Sequence, residues 1–173
     1  MSAKIDFANL SLKDALDLAI IIEEEAKDRY GEFVDQLVQH HTPEAEGFFR
    51  DMVVNETKHE TELTNRRRLL FENEPRIVKR SMIWDVEAPD YDQARAFMST
   101  RKAMEVALQC EIKAHDFFAS ALPHIKNSEV RALFHELRDE ELLHQESVRK
   151  EMAKLPPDPE VDPESFADEP TAQ

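Results

Sequence analysis

"FRDMVVNETKHETEL", residues 49–63, places Phe49, Met52 and Leu63 on the three-and-four spacing of a buried helical stripe, and that stripe passes straight through Glu56 and His59. Residues three apart share one helix face, so an acid and an imidazole enter the interior if the stripe does. "FHELRDEELLHQESV", residues 134–148, repeats the pattern with Phe134, Leu137, Glu141, His144 and Val148. One Glu-x-x-His on a Glu-rich helix is an ordinary solvated face. Two at matching points of two similar segments call for another explanation.

The similarity extends upstream of each segment. "ALDLAIIIEEEAKDRYGEF" from Ala15 lies over "AMEVALQCEIKAHDFFASA" from Ala103, matching Glu23 with Glu111, Ala26 with Ala114 and Tyr30 with Phe118. The first stripe runs Leu16, Ala19, Glu23, Ala26, Tyr30, Phe33, Leu37, and its counterpart Met104, Ala107, Glu111, Ala114, Phe118, Ala121. Each of the four stripes is apolar except near its middle. Two similar helical hairpins imply a pseudo-two-fold bundle in which four glutamates and two histidines meet at one level.

Punctuation marks four long helices. Ser11 with Asp14 forms a variant capping box opening the first, which runs to about His40. Thr42 with Pro43 opens the second, ending near Glu72. Asp90 with Gln93 opens the third, and Pro123 stops it near Leu122. Ser128 with Glu129 opens the fourth, which Pro156 and Pro157 end. Tight turns make each pair an antiparallel hairpin. Between the pairs lies "NEPRIVKRSMIWDVEAP", and a segment of about 17 residues reaches roughly 55 Å, against roughly 45 Å for a helix of about 30 residues. It can cross the whole bundle and set the second and third helices parallel. The expected fold is all-α: an antiparallel four-helix bundle with one long crossover between the second and third helices. The expected domain covers residues 1–155, followed at 156–173 by a tail with six acids, no bases and five prolines that cannot bury a core and reads as disordered.

Composition narrows the function. A chain of 173 residues with 41% hydrophobic and 34% charged residues is long enough for one real core. Its net charge of −15 argues against nucleic acid and anionic membrane as partners. The N-terminus lacks a signal pattern and no 18 apolar residues run together, so a cytoplasmic location is expected. One cysteine, Cys110, excludes an internal disulfide or a Cys-x-x-Cys metal knuckle.

The four glutamates carry the energetic argument. A carboxylate taken into a dry interior costs several kcal/mol unless compensated, and four together rival the roughly 5–15 kcal/mol by which a whole domain is stable. No Lys or Arg shares the stripes at that level. Two divalent metals supply the four positive charges required. Carboxylate and imidazole ligands without thiolate suit iron or manganese, and zinc also binds such sets.

On these motifs the chain from about residue 11 to 155 resembles the rubrerythrin and ferritin-like di-iron superfamily, close to stand-alone erythrin-type domains. "EEEAKDRY" is similar to the first-helix motif of rubrerythrins, and "ETKH" and "ELLH" to the Glu-x-x-His of the second and fourth helices. The resemblance implies terminal ligation by Glu23 and Glu111, bridging by Glu56 and Glu141, and one of His59 and His144 on each of two iron ions. It implies reduction of hydrogen peroxide or dioxygen, as a peroxidase and/or a ferroxidase acting on Fe(II) in oxidative-stress and iron handling, and a homodimer. Alternatives within the superfamily are iron storage in a cage and di-iron oxygenation of an organic substrate.

Two departures stand out. Rubrerythrins carry a further glutamate three residues after the third-helix ligand, where this chain has Ala114; His115 is the nearest substitute. The single cysteine leaves no rubredoxin-like iron site, so electrons come from a separate donor protein or from the iron substrate. Tyr30, two turns beyond Glu23, is a candidate hydrogen-bond or electron donor to the centre, and Phe118 in the matching place can be neither. Cys110 reads as packing, His40, His41, His124 and His135 as surface residues, and Ile83 and Trp84 as anchors on the bundle or a dimer contact.

Overall fold

A computed structural model describes residues 5–39, 43–83, 86 and 98–156. Among the described residues there are four long helices and no strand: α1 (Leu12–Gln39), α2 (Pro43–Phe71), α3 (Thr100–Ala121) and α4 (Ser128–Met152). The tail from residue 157 onward, expected to be disordered, lies outside the described residues, as do His40, His41, Thr42, Trp84, Asp90 and Gln93.

Local chemistry explains where the helices begin. Ser11 Oγ accepts the Asp14 backbone N–H at 3.1 Å and donates to the Asp14 carboxylate at 2.7 Å, opening α1 as its sequence indicates. Two starts differ from expectation. α3 begins at Thr100 rather than at Asp90, because Ser99 adopts extended backbone (φ −71°, ψ 157°) and its side chain accepts the Lys102 N–H at 3.1 Å. α4 is capped by Asn127, one residue before the expected Ser128. The Asn127 side-chain oxygen reaches two N–H groups, of Glu129 at 2.8 Å and Val130 at 3.3 Å. Pro123 sits in the short 3-10 turn Leu122–His124 that follows α3, where a missing N–H and a fixed φ end the α-helix.

Two apolar clusters set the helix directions. One gathers the first half of α1 (Leu16, Ile20), Leu63 late in α2, Phe118 late in α3 and Leu133 early in α4. The other gathers Phe33 late in α1, Phe49 early in α2 and Ala103 early in α3. α1 therefore runs against α2, α3 against α4, and α2 parallel to α3, which requires the crossover. α1 packs chiefly on α2 and α3 on α4, with α2 meeting α3 between the hairpins.

The start of the crossover is strapped along α1. Lys13 donates to the Pro75 carbonyl (2.9 Å), Arg76 pairs with Glu24 (3.0 Å) and Arg80 with Asp28 (2.8 Å), and Ile83 is 2% exposed in the first apolar cluster. Ile83 is thus an anchor on the bundle. At the origin of the strap, fully buried Asp17 accepts from Arg67 Nε at 2.8 Å. The remaining Arg67 donors hold the carbonyls of Glu72 (3.2 Å) and Glu74 (2.5 Å). Glu72 has φ 51°, a left-handed position that favours glycine. Its carbonyl bond to Arg67 explains how the chain holds that turn without one.

Breaking a buried ion pair from one side leaves an uncompensated charge and costs about 3 kcal/mol or more. We expect Arg67→Met to lower the thermal midpoint by about 10 °C, at roughly 2–4 °C per kcal/mol for a chain of this size. Calorimetry showing a shift of about 2 °C or less would mean that Lys13 and Arg76 hold Asp17 without it.

Candidate metal centre

Glu23 and Glu111 occupy the middles of α1 and α3, between the two apolar clusters. Alanines lie about one turn to either side, Ala19 and Ala26 in α1 and Ala107 and Ala114 in α3, each at most 1% exposed. These short side chains leave the space that the carboxylates fill. The i,i+3 spacing aims Glu56 and His59 inward from α2, and Glu141 and His144 inward from α4. Two groups result, each able to hold a metal ion: Glu23, Glu56 and His59 from the first hairpin, and Glu111, Glu141 and His144 from the second.

The groups mirror one another. His59 Nδ1 lies 3.7 Å from Glu23 Oε2 and 3.7 Å from Glu56 Oε2. His144 Nδ1 lies 3.2 Å from Glu111 Oε2 and 3.5 Å from Glu141 Oε2. The two imidazoles stack with centroids 4.6 Å apart and planes 3° from parallel. Surrounding aromatics follow the same symmetry, Tyr30 against Phe49 at 5.7 Å and Phe118 against Phe134 at 5.3 Å. Gln145 ties the second hairpin together by donating to the Glu111 carbonyl at 3.2 Å.

The four glutamates are at most 4% exposed. Glu23 Oε2, Glu56 Oε2, Glu111 Oε1 and Glu141 Oε2 are all buried without a hydrogen-bond partner. Nine-tenths or more of buried polar groups in folded proteins are hydrogen-bonded, so one orphaned oxygen on each of four adjacent carboxylates fits a cationic occupant. The donor set, carboxylate oxygen and imidazole nitrogen, suits iron, manganese or zinc.

Without metal, protons take that role. Burial pushes the Glu56 carboxyl up to about 8, and the nearby Glu23 and Glu111 charges push the same way against His59. Burial likewise raises Glu141 well above the ordinary carboxylate range. The facing Glu23 carboxylate, then Glu56, lifts His59 to about 10. For His144, burial opposes the charged ring, but Glu111 and Glu141 outweigh it and push it up to about 11. Without metal, the shifts of these four groups all favour bound protons, which offset part of the layer's negative charge.

The other sequence candidates fall elsewhere. Tyr30 is fully buried in the second apolar cluster, outside both groups, with its hydroxyl on the Cys110 thiol. Cys110 is 1% exposed, and burial pushes its thiol up to about 12. It is a packed residue. His115 also lies outside both groups, 2.9 Å from the Asp116 carboxylate. His124 and His135 are exposed. One feature has no signal in the sequence: a recess of about 170 Å³ over the two histidines, walled by Met52 and Val148 with Asn55 and Ser147 among its lining. Its lining comes from α2, α3 and α4, and beside the motif residues Glu56, His59, Glu111 and His144 it includes Met52, Asn55, Ser147 and Val148, which no Glu-x-x-His pattern marks.

Every group described here with a raised folded pKa binds protons more tightly in the folded state than in the unfolded one. Their stabilisation is present at low pH and lost as pH rises, from 4.5 to about 8 for Glu56 and from 6.5 to about 10 for His59. The metal-free protein should lose thermal stability steadily from pH 5 to pH 9. Glu56→Gln/Glu141→Gln, which mimics the protonated carboxyls, should match the parent near pH 5 and exceed it by about 5 °C near pH 9. Parallel melting curves for the two proteins across that range would contradict the titration.

The comparisons with known proteins agree with this geometry. A family model described as rubrerythrin matches residues 14–152. An uncharacterised conserved protein from Magnetospirillum magnetotacticum, solved by crystallography, is 27% identical with a TM-score of 0.65, the match covering 88% of this chain and 100% of that one. A hypothetical protein from Pyrococcus furiosus shares the fold at 19% identity and a TM-score of 0.50, over 84% of this chain and 90% of that one. None of the curated proteins gives a significant match. The rubrerythrin model spans all four helices and both Glu-Glu-His groups, and the chain belongs to the rubrerythrin family.

Proposed function

We propose that this protein is a di-iron oxidoreductase that reduces hydrogen peroxide or dioxygen, acting as a peroxidase and oxidising Fe(II) where iron itself is the reductant. Glu23, Glu56 and His59 would hold one iron and Glu111, Glu141 and His144 the other. The observation that carries this reading is the pair of mirrored Glu-Glu-His groups with an orphaned oxygen on each buried glutamate.

When bound, a ferrous pair supplies two electrons and a Lewis-acidic surface for an O–O bond. The protein's own groups govern charge and protons. Four carboxylates balance two divalent ions, so the layer whose charge protons offset in part without metal would be balanced by metal instead. His59 Nδ1 and His144 Nδ1 face the carboxylates of their own groups, so Nδ1 is the atom each ring would offer to a metal. Any proton on either imidazole, Glu56 or Glu141 would have to leave for that group to ligate a metal. The flanking alanines and aromatic pairs keep bulk water from the buried carboxylates. The reducing electrons would come from a donor protein or from Fe(II).

Anaerobic Fe(II) loading tests the reading directly. The parent should bind about two irons per chain and release protons on binding near pH 7, read by metal analysis and pH-stat titration. Glu56→Ala/Glu141→Ala should lose both and slow peroxide consumption by about 100-fold or more. Less than about one iron per chain in the parent would leave a structural bundle as the better account.

A further inference from the structure

Two recesses open between α2 and α4, one on each side of the stacked His59 and His144 rings. The smaller, about 80 Å³, is lined by charged residues, including Glu62, Glu136 and Glu140. It is spanned by Arg66, whose Nη1 lies 2.9 Å from both oxygens of Glu136. None of the four inner glutamates lines it. The larger, about 170 Å³, differs in both respects. Glu56 and Glu111, 1% and 0% exposed, form its floor, and each has an orphaned carboxylate oxygen. Its walls are Met52 and Val148, and its rim residues are the uncharged Asn55 and Ser147, both exposed.

Charge and size indicate the occupant. An uncharged rim over orphaned carboxylates admits a neutral molecule to the metal layer without desolvating an ion on the way in. Hydrogen peroxide, with two heavy atoms, needs about twice the ~30 Å³ that a water occupies. The recess is several times larger than that, and a cavity of about 150 Å³ accepts a molecule as large as benzene. Met52 and Val148 offer apolar surface that hydrogen peroxide does not use.

We infer that this recess is an oxidant pocket for short alkyl hydroperoxides as well as hydrogen peroxide, with Met52 and Val148 against the alkyl group and Asn55 and Ser147 at the entrance. The inference rests on the di-iron reading. The O–O bond takes up two electrons from the ferrous pair and two protons from solvent, giving an alcohol and water; both irons end ferric and are reduced again by the external donor. The bulk of tert-butyl hydroperoxide is comparable to that of the benzene accepted by a cavity of about this size.

The test fills each recess with the same bulk. Ser147→Trp, and Asn55→Trp from the facing wall, block the larger recess at exposed positions where folding is tolerant; Glu62→Trp places the same side chain at the smaller one. Co(II) uptake, read by visible absorption, reports the metal layer independently of turnover. We expect about two Co(II) per chain in the parent and all three variants. Consumption of hydrogen peroxide and of tert-butyl hydroperoxide by the Fe(II) proteins should fall about tenfold or more in Ser147→Trp and Asn55→Trp and change by less than about twofold in Glu62→Trp. In the Co(II) proteins, which do not turn over, tert-butanol should perturb the absorption of the parent and Glu62→Trp but not of Ser147→Trp. Unchanged consumption in both blocked variants with Co(II) uptake intact, equal slowing in Glu62→Trp, or parent activity on hydrogen peroxide but none on tert-butyl hydroperoxide would overturn the oxidant pocket alone. Absence of Co(II) and Fe(II) binding in the parent would overturn the di-iron reading beneath it.

Discussion

Four carboxylates held at one level inside a four-helix bundle set the terms for everything around them. Each would cost several kcal/mol if left charged and unpaired, and one oxygen of each is buried without a hydrogen-bond partner. Compensation has to come from imidazolium, from protons or from metal. The metal-free layer uses the first two, as the upward shifts of Glu56, Glu141, His59 and His144 show. Bound cations would compete with protons for the same groups, and their affinity would then depend on pH.

Each ligand group comes entirely from one hairpin, Glu23 with Glu56 and His59, and Glu111 with Glu141 and His144. A lone hairpin would carry its group on an open face, where water would solvate the carboxylates and nothing would demand a metal. Apposition of the hairpins removes the water and stacks His59 on His144. The second hairpin therefore supplies the desolvation that gives the first its chemistry, and the reverse. Tyr30 and Phe118 break the mirror, placing a hydroxyl in one half only and giving the two Glu-Glu-His groups unequal surroundings.

The polar layer lowers the stability of the bundle's middle, and the structure offsets this at both ends and along one side. Apolar clusters flank the layer, one rich in leucine and isoleucine near the start of α1, the other aromatic near its end. The crossover adds a charged strap along α1 through Asp17, Glu24 and Asp28. Asp17 is buried as deeply as the metal-layer glutamates, yet Arg67 meets it at 2.8 Å. That contrast separates Asp17 from the four glutamates: the first has its own cation in the chain, and each of the others leaves an oxygen without a partner.

Much of this was legible in the chain itself. Stripe periodicity, paired Glu-x-x-His segments and a linker long enough to cross the bundle determined four helices, their directions and the six residues at one level, because helical spacing converts directly into shared faces. Local signals were less decisive at the ends of helices. Asn127 outcompeted Ser128 as a cap by reaching two N–H groups, and Ser99 rather than Asp90 opened α3. What only the tertiary structure decided depends on distances between helices that the chain does not encode by spacing. The stacking of the imidazoles, the pairing of Asp17 with Arg67, the contact of Tyr30 with Cys110 and the uncharged recess beside the layer all join residues tens of positions apart. Periodicity fixes which face of a helix is buried; only packing fixes what that face meets.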